Sequence, residues 1–159
     1  MATLTPRLPV AFAAGAVLRT PARTLTEAEF SAIINASWEN GPLHTDAEYT
    51  RGTVFGRPIL GGPCLVAVTA GLTSTTMYAA WNAAGLDCHA ALGIDEVRYD
   101  RPVFAGDTIR IEIEVAEFHE TPKGTAWFGR VHDTVLNQRD ETVLRMKRSY
   151  LLRPLPVAP

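Results

Sequence analysis

The chain has 159 residues, a length that suits one domain, and is 47% hydrophobic and 20% charged, an ordinary globular balance that excludes a disordered or fibrous chain. Its formal net charge of −2, with no basic stripe, argues against nucleic acid as a partner. Two cysteines, Cys64 and Cys88, build no disulfide framework and fit a reducing compartment, and no apolar run is long enough to span a bilayer.

Residues 1–14 read as an N-terminal arm, because Pro6 and Pro9 forbid a regular helix there. Pro6, Arg7 and Pro9 also break any signal-peptide pattern, so the expectation is a soluble, cytoplasmic protein with no membrane partner. Residues 15–153 read as a single domain and 154–159 as a C-terminal tail. Val17-Leu18-Arg19 begins a strand. Thr26 with Glu29 forms a capping box that opens a helix, and Phe30, Ile33, Ile34 and Ser37 fall on one of its faces.

That helix delivers the chain to Trp38-Glu39-Asn40-Gly41-Pro42-Leu43-His44-Thr45-Asp46. Gly41-Pro42 marks a loop in which the carboxylate of Glu39 and the imidazole of His44, five residues apart, can fold back toward one point. Such a pair suits acid–base chemistry. On the residues alone, a surface salt bridge or a loop-organising hydrogen bond is the commoner use of the same pair. Thr45 with Glu48 predicts a second capping box and a short helix to about Arg51.

Phe55 to Gly62 is an extended, glycine-rich approach to a long helix, with Pro63 as its first residue and Gly85 as its stop. Leu65, Val66, Val68, Leu72, Met77, Tyr78 and Trp81 occupy most of its circumference, which predicts burial nearly all round. Strands follow at about 90–99, 108–118, 125–137 and 142–152. Ile109, Ile111, Ile113 and Val115 alternate with Arg110, Glu112 and Glu114, as an antiparallel sheet with one packed face requires. A long helix followed by consecutive strands predicts an α+β fold with the sheet wrapped around that helix.

Three segments carry a family resemblance. Gly41 to Tyr49, Phe55 to Ile59 with the glycines after it, and Asp95 to Tyr99 with Arg101 to Thr108 resemble the MaoC-like (R)-specific enoyl-CoA hydratase and dehydratase family, which has the hot-dog fold. The resemblance covers about residues 20–152. Val97–Thr108 and Asn137–Tyr150 are most similar to the mesaconyl-CoA and methylmalyl-CoA dehydratase-like branch. The resemblance implies reversible hydration of a 2-enoyl-CoA by Glu39 and His44, with the Gly62 N–H as oxyanion donor and Gly61 beside it at the substrate. It implies an acyl-CoA thioester as the substrate partner, with coenzyme A as part of that substrate and no other cofactor or metal. It further implies a homodimer or a dimer of dimers, for which Thr73, Ser74, Thr75 and Thr76 offer a helix contact. The chain departs from the family pattern where Glu39 stands for an Asp, Gly41 for an Asn and Gly61 for a His. A thioesterase or a non-catalytic acyl-CoA-binding protein on the same fold stays open.

The remaining candidates read blandly. Cys64 is expected to be a packing cysteine, Asp46 and Glu48 helix-start residues, and Asp107 a turn residue. His89, His119 and His132 lack metal-ligand spacing. Arg57, Arg98 and Arg101 read as solubilising charge, with CoA phosphates as the alternative. Trp38, Tyr78 and Trp81 are candidates to narrow the pocket. No serine-hydrolase elbow, phosphate loop or dinucleotide fingerprint is present.

Overall fold

A computed structural model describes residues 12–156; the rest of the expected arm and the last three residues of the expected tail lie outside the described residues. Strands β1 (Val17–Arg19) and β2 (Arg23–Thr24) precede helix α1 (Glu27–Ser37), short helices α2 (Pro42–Thr45) and α3 (Ala47–Arg51), and the long helix α4 (Gly62–Ala83). Strands β3 (Leu86–Tyr99), β4 (Thr108–Glu120), β5 (Trp127–Leu136) and β6 (Thr142–Pro154) complete the chain. The sheet is antiparallel in the order β1-β4-β5-β6-β3, with β2 also pairing β4. This is the α+β arrangement expected from one long helix and four consecutive strands. None of the described helices is long and apolar enough to cross a membrane.

The alternation on β4 is realised fully: Ile109, Ile111, Ile113 and Val115 are buried, and β5 buries Trp127, Val131 and Val135 in the same phase. Each fully buried side chain of this size stabilises by roughly 1.5–3 kcal/mol. Phe12, within the stretch expected to be an arm, stacks on Phe118 at 4.9 Å, and Phe118 stacks on Trp127. Beyond the expected start at residue 90, β3 reaches back to Leu86, paired along β6 through several bulges.

Helix α4 differs from the expectation of burial all round. Its buried positions are Cys64 and a stripe four residues apart, Leu65, Thr69, Thr73, Met77 and Trp81, while Tyr78 is 45% exposed. The stripe admits threonines because Thr69 and Thr73 turn their hydroxyls back onto the carbonyls of Leu65 and Thr69. The helix begins one residue earlier than expected, at Gly62, with Gly61 as N-cap and Pro63 still within the first turn.

Candidate active site

The capping box at the start of α1 forms as read: Glu29 N–H donates to Thr26 Oγ1, and Thr26 N–H donates to the Glu29 carboxylate. The Glu29 carboxyl is thereby pulled from 4.5 to about 2, chiefly by the Thr26 N–H, with Arg23 and the Thr26 hydroxyl adding. At the other end Trp38 adopts φ 59°, ψ 25°, a left-handed conformation rare for a bulky residue. Glu39 N–H then donates to Ile34 O at 3.2 Å. This closure reverses the chain, leaves Trp38 84% exposed, and turns the Glu39 side chain inward.

Gly41 caps α2, Pro42 fills its first turn, and His44 N–H donates to Gly41 O at 2.9 Å. The following helix is capped by Asp46, whose carboxylate accepts from Tyr49 N–H, and not by Thr45. Thr45 instead turns its hydroxyl onto Gly41 O, so the expected Thr45–Glu48 box does not form. The extended stretch before α4 is tied down on both sides: Ile59 N–H donates to Leu43 O at 3.1 Å, and Leu60 N–H to Val103 O at 2.8 Å.

These ties bring Glu39, His44, Gly61 and Gly62 together at the N-terminus of α4. His44 Nδ1 lies 2.7 Å from Ile59 O. A carbonyl can only accept, so Nδ1 carries the proton, and in the neutral ring Nε2 is the lone-pair nitrogen. Nε2 faces Glu39 Oε1 at 3.7 Å, with the His44 side chain 14% and the Glu39 side chain 31% exposed. Gly62 opens the first turn of α4, where backbone N–H groups have no intrahelical acceptor and the helix dipole is positive. The ring of Tyr99 packs against Gly62 so closely that a Cβ there would lie 2.6 Å from Tyr99 Cζ.

His44 and Gly62 border a cleft of about 420 Å³ walled by Phe55, Ile59, Leu60, Pro63, Leu65, Tyr99, Pro102 and Val103, with Asp100 and Arg101 beside them. The size and apolar lining suit a small-molecule site. Asp100 is held by two bonds from Arg145, which lower its carboxyl below the usual range. Arg57 lies on the Phe104 ring at 4.2 Å. Trp38, Tyr78 and Trp81 are not in the cleft wall: Trp38 faces solvent, and the other two line a separate pocket with Cys88 and Tyr150. Cys64 is a packing cysteine, buried with its sulfur 3.0 Å from Ser37 Oγ. Asp107 organises its turn by accepting from Phe104 N–H and Gln138 Nε2. Among the described residues no cluster of His, Cys, Asp or Glu could hold a metal ion.

Tyr99 and Phe55 were not singled out as cleft residues from the sequence. A further omission is Arg148, bidentate to Asp133 inside the sheet. Its signal was present: Arg148 falls midway in the inward series Leu144, Met146, Tyr150, Leu152 on β6.

A long helix packed on an antiparallel sheet, with the Glu39–His44 loop docked at the helix start, defines the hot-dog class. The MaoC-like domain family matches residues 11–136, and the chain belongs to that family. It is similar to a solved monoamine oxidase regulatory protein from Archaeoglobus fulgidus, at 30% identity and TM-score 0.79, covering 96% of this chain and 100% of that one. A MaoC-like dehydratase from Rhodospirillum rubrum shares the fold at 22% identity and TM-score 0.75, over 91% of this chain and 95% of that one. The (R)-hydratase from A. caviae involved in PHA biosynthesis shares it at 23% identity and TM-score 0.69, over 93% and 100%. Among curated proteins, no sequence matches the chain significantly.

Proposed function

We propose that the protein is a hydro-lyase that adds water reversibly across the double bond of a 2-enoyl-CoA. The observation that carries this reading is the pair of acceptors, His44 Nε2 and Glu39 Oε1, 3.7 Å apart, of which His44 borders an apolar cleft together with Gly62. A single water can bridge two such neighbouring acceptors, donating one proton to each. Membership in the MaoC-like family and the fold shared with a dehydratase and an (R)-hydratase support the same reaction class.

In the hydration direction, the water oxygen bonds to the β-carbon as one of its protons passes to the Glu39–His44 pair. The electron pair of the double bond moves toward the thioester carbonyl, whose oxygen gains charge. The Gly62 N–H stabilises that oxygen, a contribution of roughly 3–4 kcal/mol for one such donor. The pair then returns a proton to the α-carbon, so the net change is addition of H and OH. Coenzyme A acts only as the carrier of the acyl group.

The active form we propose is a homodimer. Strand β3 ends the sheet, paired on one side only, with β6, and it exposes Leu92 and Ile94. An open strand edge invites pairing with a second copy.

The test is loss of the conjugated-thioester absorbance with crotonyl-CoA, a longer enoyl-CoA and mesaconyl-CoA, with thiol release followed in parallel. Loss of absorbance without thiol release is expected, and His44→Ala should reduce it by a hundredfold or more with the fold intact. Thiol release would move the protein to the thioesterases. Binding without turnover would make it an acyl-CoA-binding protein. Full activity in His44→Ala would refute the assignment of His44.

A further inference from the structure

We infer that Gly61 is a positioning residue for the acid–base pair: it lacks a side chain because the Glu39 side chain occupies the space where one would be. The catalytic part of this inference rests on the hydration reading above. A Cβ placed on Gly61 would lie 2.7 Å from Glu39 Cγ, 3.1 Å from Cδ and 3.2 Å from Oε2. Side chains do not tolerate the first of these approaches, so any other residue at 61 displaces Glu39.

Conformation does not explain the glycine. Gly61 has φ −60° and ψ 142°, open to every residue type. Gly61 sits at the N-cap of α4, a position that accepts glycine but where Ser, Thr, Asp or Asn would add a side-chain bond that this helix goes without. Space is the property that sets glycine apart from those four. Gly41, in the same loop, makes a useful contrast: a Cβ there would meet His44 Cδ2 at 3.5 Å, an ordinary contact.

The consequence is specific to a long carboxylate. Glu39 reaches across the helix start to face His44 Nε2 at 3.7 Å. A side chain at 61 would push the carboxylate toward the solvent to which it is already 31% exposed. Positions 39 and 61 therefore form one unit, in which the longer acid and the missing side chain compensate each other.

The experiment uses the full-length protein and two mutant cycles. In the kinetic cycle, Gly61→Ala should lower kcat for enoyl-CoA hydration on the order of a hundredfold, the typical result of an error of about 1 Å in a catalytic group. KM should change by less than about threefold, as expected when a transition-state interaction alone is lost. In a Glu39→Gln background the same change should add almost nothing, because the group that Gly61 positions is already silent. Multiplying effects would overturn the inference. In the stability cycle, the melting temperature lost in Gly61→Ala should return in the Glu39→Ala, Gly61→Ala double variant. If Gly61→Ala fails to fold, folding of the double variant carries the same meaning. A double variant no more stable than the sum of its parts would overturn the steric pairing. An inactive wild type would remove the hydratase reading, and the stability cycle would still decide whether Gly61 makes room for Glu39.

Discussion

Replacing Arg148 with methionine leaves a carboxylate stranded inside the sheet. The Asp133 side chain is fully buried on β5, and that of Arg148, on β6, is 6% exposed. Arg148 Nη2 donates to Asp133 Oδ1 at 2.8 Å, and its Nε donates to Oδ2. Burial pushes the Asp133 carboxyl up, against the pull of the guanidinium. Without Arg148 both oxygens lose their donors, and burial is opposed only by the weaker pull of His132. Breaking a pair of this kind costs about 3–5 kcal/mol, a large share of a typical total stability of about 5–15 kcal/mol. At roughly 2–4 °C per kcal/mol for a chain of this size, the melting temperature should fall by about 6–20 °C. Circular dichroism melts at neutral pH measure it. Two companion results follow. The Arg148→Met, Asp133→Leu double variant should recover most of the loss, since an apolar pair needs no charge compensation. The deficit of the single variant should also shrink as pH falls, because a buried carboxyl with a raised pKa stops opposing folding once it is protonated. A drop below 2 °C in the single variant, or a double variant less stable than the single one, would refute the reasoning.

Three other predictions concern separate parts of the molecule. The Glu29 carboxyl lies below its ordinary 4.5, at about 2, so its stabilising effect is complete above pH 4.5 and is lost as pH falls toward 2; Glu29→Gln should flatten the acid limb of the melting-temperature profile in that window, and an unchanged limb would count against the capping box as its cause. Tyr99→Ala should open space over Gly62 and raise kcat/KM for branched relative to linear enoyl-CoA, and an unchanged ratio would remove Tyr99 from the acyl wall. Charging the β3 edge with Leu92→Glu and Ile94→Glu should convert a dimer to monomer in light scattering, whereas a persistent dimer would place the interface elsewhere.

Local rules were legible wherever one residue answers to its neighbours in the chain. Thr26 and Glu29 are three apart, and the box they form needs nothing from elsewhere. The alternation of Ile109, Ile111, Ile113 and Val115 has only one phase that buries them, so β4 and its inward face were readable in advance. The Thr45–Glu48 box had the right spacing, but Asp46 accepts from Tyr49 N–H while the Thr45 hydroxyl bonds Gly41 O. The burial of α4 was overread because composition does not say on how many sides a helix has neighbours.

The sequence by itself determined the order of the elements, the α+β class and the loop that holds Glu39 and His44, because each depends on periodicity, capping or turn chemistry within a few residues. Only the tertiary structure decided what surrounds that loop. Ile59 O orients the His44 ring from fifteen residues away. Glu39 lies over Gly61, 22 positions later, and Tyr99 lies over Gly62, 37 positions later. Contacts across such separations leave no period in the chain; they exist because α4 and β3 are packed where backbone and side chain can touch, and the two glycines acquire their meaning only there.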